Sequence, residues 1–142
     1  MAASWYSDGV QVIFACGGGM GNSVMAAAEA AGAKVIGVDI DQSSESDTVI
    51  TSAMKELAVS VYQTVKEFYE GNFKGGQNII FGADNNGVGL PLATSRFETF
   101  GQAEYDAIYA KLAANSIDIF KDVGEGVTAA NIPVKVVKVT II

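Results

Sequence analysis

The sequence predicts an α/β fold, a mainly parallel sheet with helices on both faces in a three-layer sandwich, on three observations. Short apolar, β-rich runs at 10–14, 34–38 and 48–51 alternate with helical patterns at 24–31 and 52–69. Glycines sit where a strand must turn into a helix, at Gly17, Gly18, Gly19 and Gly21. The 142 residues are 49 % hydrophobic, enough for one domain with a core on both sides of a sheet.

Taken in order, Ala2 to Tyr6 predicts a short helix ended by Gly9. Val10 to Phe14 is the first strand, and after the glycine turn Asn22 or Ser23 is expected to cap a helix from Val24 to Ala31, with Gly32 at its end. Lys34 to Val38 is a second strand that delivers Asp39 to its carboxyl end, completing a βαβ unit. Gln42 to Asp47 is a polar loop without periodicity, and Thr48 to Thr51 a short buried strand. Ser52 is expected to start a long helix in which Met54, Leu57, Val61, Val65 and Phe68 form an apolar stripe lying on the sheet. Asn78 to Phe81 predicts a strand, Gly82 to Gly87 a turn tolerant of positive φ, and Gly87 to Leu90 a segment that pairs back or continues as an edge. Thr99 and Gln102 make a capping-box pattern ahead of a helix carrying Tyr105, Ile108, Tyr109 and Leu112. Ile117 to Phe120 and Val134 to Ile142 read as strands, with a loop from Gly124 to Ala130 between them.

Parallel pairing needs crossovers, and about four strands satisfy that pattern, one strand and one helix short of a five-stranded layer. The opening residues read as the end of a helix running into the first strand. Both points predict a chain truncated at its amino terminus, with an unpaired sheet edge open to association.

Sixteen acidic against nine basic residues give a net charge of −7, which argues against nucleic acid or an anionic bilayer as partner. With no His and one Cys the chain builds no Ser-His-Asp or Cys-His site, no zinc site of the usual ligands and no internal disulfide. Cys16 is expected to be a small core residue beside the turn. No run approaches the ~18 apolar residues of a membrane span, and no targeting signal is expected in the chain as given.

The glycine turn is either a tight βα connection or a place where a ligand meets the backbone. As a dinucleotide fingerprint it is partial: the frame from Gly19 puts Val24 where the third glycine belongs, although Asp39 fits the ribose-binding acid. Asp39, Asp41, Ser43, Glu45 and Asp47 alternate as in a calcium loop, but Ser44 replaces its glycine and Ile50 its final glutamate. Lys55, placed in the first turn of the expected long helix, stands against the helix dipole, so it is either a solvated surface lysine or serves something outside the helix. Asp39 and Lys55 would then share one rim, the acid on ribose hydroxyls and the ammonium on a ring nitrogen or carbonyl. Phe14 either joins the core or stacks on a base. No nucleophile is paired with a base, so catalysis is not assigned and no cofactor is expected.

Four blocks in order carry a family resemblance: Val-Ile-Phe-Ala-Cys-Gly-Gly-Gly-Met-Gly-Asn-Ser-Val at 12–24, Val-Ile-Gly-Val-Asp-Ile-Asp-Gln-Ser at 35–43, Val-Ile-Thr-Ser-Ala-Met-Lys at 49–55 and Asn-Gly-Val-Gly-Leu at 86–90. Together they resemble the carboxyl-terminal lobe of the basic membrane protein family, lipoproteins of the purine nucleoside receptor type that supply ABC importers. The resemblance implies one flavodoxin-like lobe of a type I periplasmic-binding-protein fold spanning residues 1–142, its amino-terminal lobe and signal peptide absent. It also implies a nucleoside ligand, an ABC permease as partner, and a lipid-anchored parent at the extracellular face or in the periplasm. By motif, Gly18 and Gly19 match the turn lining the cleft, Asp39 the ribose-binding acid and Lys55 the lysine that reaches the ligand, with Phe14 a looser match. Gly17 and Met20 stand where the family's Ala-Gly-Gly-Thr-Gly motif has Ala and Thr.

A lobe that closes on its ligand with a partner loses affinity when alone. A fragment of a nucleoside-binding protein is therefore the reading favoured, its open edge covered by the strand from Val134 or by a second copy. A Rossmann-like nucleotide module of a truncated enzyme is the alternative, and a folding unit that binds nothing is a third.

Overall fold

The computed structural model describes residues 1–117, 119, 126–128 and 131. In chain order the elements are α1 (Ala2–Ser7), β1 (Val12–Phe14), α2 (Met20–Ala31), β2 (Lys34–Asp39), β3 (Val49–Lys55), α3 (Leu57–Tyr69), a 3-10 turn at Ala83–Asn85, β4 (Val88–Gly89) and α4 (Gln102–Ala113). The sheet order is β1-β2-β3-β4. β1, β2 and β3 are parallel neighbours, and β4 runs antiparallel to β3 with Lys55 opposite Val88. The α/β fold with a parallel-dominated sheet is as the alternation predicted, with three parallel strands where four were expected.

The helix α2 makes the crossover from β1 to β2, and its apolar residues explain the core: Met25 and Ala28 pack with Ile13, Val35 and Val49 of the sheet, Ala15 just past β1 and Tyr6 of α1. Val35, Val49 and Ala28 are fully buried. Tyr6 closes that core with a polar tip, its hydroxyl donating to the Lys34 carbonyl at 2.9 Å, the usual way a buried tyrosine satisfies its oxygen.

The crossover from β2 to β3 is not helical. Residues 40–48 return to the start of β3 as a polar segment of turns, with Glu45 N–H donating to the Gln42 carbonyl at 3.0 Å. Its buried hydroxyls are paired: Ser46 Oγ donates to Glu29 at 2.7 Å and lies 2.8 Å from Thr48 Oγ1. The polar loop expected here is therefore held through Gln42, Ser46 and Thr48.

Several expectations are corrected. The long helix starts at Leu57 instead of Ser52, because Val49 to Lys55 continue as strand and Ser52 is fully buried within the sheet. Neither Asn22 nor Ser23 caps α2; both lie inside it, and Gly19 occupies the cap position. Residues 78–81 form no strand, although the turn after them forms as expected, with Asn86 at φ 57 and Gly87 donating to the Gly82 carbonyl at 2.7 Å. Val88 and Gly89 pair back onto β3. α4 is capped through Gly101, whose N–H reaches Glu104 at 3.0 Å, so the reciprocal partner is that acid instead of the Thr99 and Gln102 pair. No residue of α3 is buried: Leu57, Val61 and Phe68 are all more than half exposed, and the stripe expected on the sheet faces outward. Periodicity makes the helix amphipathic without naming the surface that covers it. The strands expected at 117–120 and 134–142, and the loop at 124–130, involve residues outside those described.

Candidate functional site

Three neighbouring parallel strands end on the same edge of the sheet, and each delivers one chemical feature there. β1 runs into the glycine turn, anchored where Ala15 N–H donates to the Ile36 carbonyl at 3.0 Å. Gly18 takes φ 59, a conformation costly for a side-chain-bearing residue, and its carbonyl accepts Gly21 N–H at 3.0 Å as α2 begins. Both Gly18 and Gly19 are exposed, and a Cβ added to either would meet nothing within 4 Å. The backbone of this turn is open to an approaching molecule. Cys16 beside it is exposed as well, which corrects the expectation of a core cysteine: the chain has already left the sheet at Ala15.

β2 ends at Asp39, whose φ is 71. Ile40 N–H donates to the Val38 carbonyl at 2.9 Å across it, closing a three-residue turn. A non-glycine residue held there stores roughly 1–3 kcal/mol of strain, the kind that clusters at ligand clamps. β3 ends at Lys55, so the lysine stands on a strand terminus and the helix-dipole argument for it does not apply. Its Nζ lies 2.7 Å from Asp39 Oδ1. The Asp39 carboxylate raises the Lys55 pKa, first by the hydrogen bond and then by its charge; desolvation opposes this, and Cys16 adds a smaller upward effect. With the two side chains 64 % and 48 % exposed, the pair adds little to stability. It brings an acceptor and a cation together at one point.

Phe14 is half exposed and borders a largely apolar groove of about 560 Å³ between α1, β1 and α2, with Trp5, Cys16, Gly17 and Met20 among its walls. Gly18, Gly19, Asp39 and Lys55 do not line that groove. Asp39 and Lys55 are thus joined directly, the glycine turn shares their sheet edge, and Phe14 faces the groove. Among the described residues no group of three His, Cys, Asp or Glu side chains is placed to hold a metal ion, and no helix is long and apolar enough to cross a membrane.

Sequence reasoning missed the scaffold behind this rim. Arg96 donates to the Val49 carbonyl at 2.7 Å, to the Ser43 carbonyl at 3.2 Å and to Asp47 at 3.0 Å. Thr94 Oγ1 donates to Asp41 at 2.7 Å, and this bond is the largest cause of the lowered Asp41 pKa, with Ser43 and the Arg96 charge adding to it against a desolvation effect. Contacts between positions about fifty residues apart leave no periodic trace in a sequence.

Residues 1–125 match the family of ABC transporter substrate-binding proteins described as PnrA-like. The chain is 36 % identical over 114 residues to basic membrane protein D of Borreliella burgdorferi, covering 78 % of this chain and 32 % of that protein. It is 31 % identical over 137 residues to the ABC transporter nucleoside-binding protein BmpA of Lactococcus lactis, covering 82 % of this chain and 39 % of that one. The chain thus spans about a third of the length of these relatives. Two solved structures share the fold: an ABC transporter solute-binding protein from Conexibacter woesei, TM-score 0.61 at 22 % identity over 83 % of this chain and 40 % of that one, and a transcriptional activator of the comK gene from Bacillus halodurans, TM-score 0.60 at 21 % identity over 79 % and 38 %. The sequence blocks, the parallel sheet and the match along 1–125 agree, and the chain belongs to the family of PnrA-like ABC transporter substrate-binding proteins.

Proposed function

We propose that the chain is the carboxyl-terminal lobe of a nucleoside-binding protein, one wall of a cleft that a second lobe completes and from which an ABC permease takes its cargo. The observation that carries this reading is the Asp39–Lys55 pair, 2.7 Å apart at the edge where the bare glycine turn also ends. The carboxylate accepts hydrogen bonds from a ribose diol, the ammonium donates to an acceptor on the base, and Gly18 and Gly19 let the ligand lie against the backbone. Phe14 adds an aromatic surface. The lysine charge is already countered by Asp39, so nothing here selects for phosphate, and the ligand is a neutral nucleoside. No residue is assigned a catalytic role. The name of the Lactococcus lactis relative supports the ligand class. The parent protein works outside the cytoplasmic membrane on a lipid anchor. The side of β1 away from β2, unpaired among the described residues, is the surface through which the lobe would pair with another copy.

Calorimetric titration of inosine, guanosine, AMP and NAD into the chain, and into the chain joined to an amino-terminal lobe, tests this. Nucleosides are expected to bind the joined protein orders of magnitude more tightly than the single lobe. Tighter binding of NAD than of any nucleoside would overturn the reading in favour of a nucleotide module.

A further inference from the structure

The left-handed turn at Asp39 needs something to hold it, and the structure supplies one residue that ties the strand just before the turn to the neighbouring strand. Gln42 Oε1 accepts the N–H of Val38, the residue just before Asp39, at 2.9 Å. The backbone N–H of Gln42 donates to Ser52 Oγ at 3.1 Å, and Ser52 is a fully buried residue of β3. The Gln42 amide nitrogen lies 3.4 Å from both carboxylate oxygens of Glu45, which fixes the amide with its oxygen inward. The Val38 carbonyl meanwhile accepts Ile40 N–H. Gln42 therefore ties the peptide one before Asp39, the bond from Ile40 N–H to the Val38 carbonyl joins the two peptides that flank it, and the Asp39 carboxylate is left to face Lys55.

Gly37 makes this possible. It pairs in register with Ser52, and a Cβ on it would stand 2.6 Å from Ser52 Oγ and 2.7 Å from Gln42 Oε1. The space a side chain would fill is occupied by the Gln42 amide.

We propose that Gln42 is a positioning residue for the ligand cradle: clamped between Val38 and Ser52, it holds Asp39 in its strained turn with the carboxylate presented to Lys55 and to the ribose diol. The role in ligand selection rests on the nucleoside reading; the clamp itself does not. In place of Gln42, methionine keeps the bulk and removes the acceptor, while glutamate keeps it, with Glu45→Gln made alongside so that no second carboxylate stands against the first.

The test uses NMR and calorimetry on the 142-residue chain. A residue at positive φ gives a strong intraresidue NOE between its amide and α protons. That signal at Asp39 is expected in the unaltered protein and in Gln42→Glu, and lost in Gln42→Met. With nucleoside present, the preference for a ribonucleoside over its 2′,3′-dideoxy analogue is expected to fall about tenfold in Gln42→Met, the scale of one hydrogen bond to a charged group, and to be regained in Gln42→Glu. If Gln42→Met does not fold, Ser52→Ala, which removes only the backbone anchor, is read in the same way. A merely structural glutamine would lower the melting temperature and leave the Asp39 NOE and the ribose preference untouched, and that result overturns the proposal. If the unaltered chain binds no nucleoside, the chain joined to an amino-terminal lobe is titrated in its place; no binding there overturns the functional reading, while the NOE still decides the clamp.

Discussion

Gly37 and Ser52 face each other across the β2–β3 ladder with no room for a methyl group between them, since a Cβ on Gly37 would lie 2.6 Å from the Ser52 hydroxyl oxygen. Ser52 is fully buried and already bonded to Gln42, so turning its hydroxyl away breaks another contact. Gly37→Ala is expected to destabilise the fold by about 1–3 kcal/mol, as overpacking does. In a domain of this size that lowers the melting temperature by roughly 3–9 °C, measurable by calorimetry.

Asp39 carries strain at φ 71 and contributes little to stability through an exposed ion pair. Asp39→Gly is therefore expected to leave the melting temperature unchanged or raise it by a few degrees, on the order of 1 kcal/mol of strain released, while removing the proposed ribose acceptor. Nucleoside affinity should fall about tenfold or more. A large loss of stability in this variant would show that the pair is structural.

The pH responses of Lys55 and Asp41 have opposite signs. Lys55 has a raised pKa in the folded chain, so its contribution is complete below the ordinary lysine value of 10.5 and is lost as pH rises through the folded value above it. Asp41 has a lowered pKa, so its contribution is complete above the ordinary aspartate value of 3.8 and is lost as pH falls through the folded value below it. Thr94→Val removes the largest cause of the Asp41 shift, and chemical denaturation at acid pH should show a shallower decline for that variant than for the unaltered chain.

Arg96 joins the segment after β4 to the carbonyls of Val49 and Ser43 and to Asp47. Arg96→Met is expected to cost about 1–3 kcal/mol, because it strands the Val49 carbonyl at the start of β3. Most of that loss should persist at about 1 M salt, which screens the exposed Asp47 pair but not the bonds to carbonyls. Melting curves of both proteins at low and high salt measure the difference.

The parallel order of β1, β2 and β3 was legible because each apolar run is short and bounded by glycine or polar residues. Asp39 and Lys55 were legible as a pair through the spacing of the strand ends, although Lys55 was assigned to a helix that begins two residues later, at Leu57. That error came from reading Met54, Leu57 and Val61 as one helical stripe when Val49 to Lys55 satisfy a strand. The clamp of Gln42, the Arg96 strap and the outward face of α3 were not legible, because each depends on which distant surface a side chain meets. The same holds for Cys16, whose exposure follows from where the chain leaves the sheet.

Because the chain has a single cysteine and that thiol is exposed just past β1, one fluorophore coupled to it would stand as a sentinel on the wall of the groove that Phe14 borders. The molecule thus carries its own address for a dye, and occupancy of the cradle could be followed by emission without any engineered substitution.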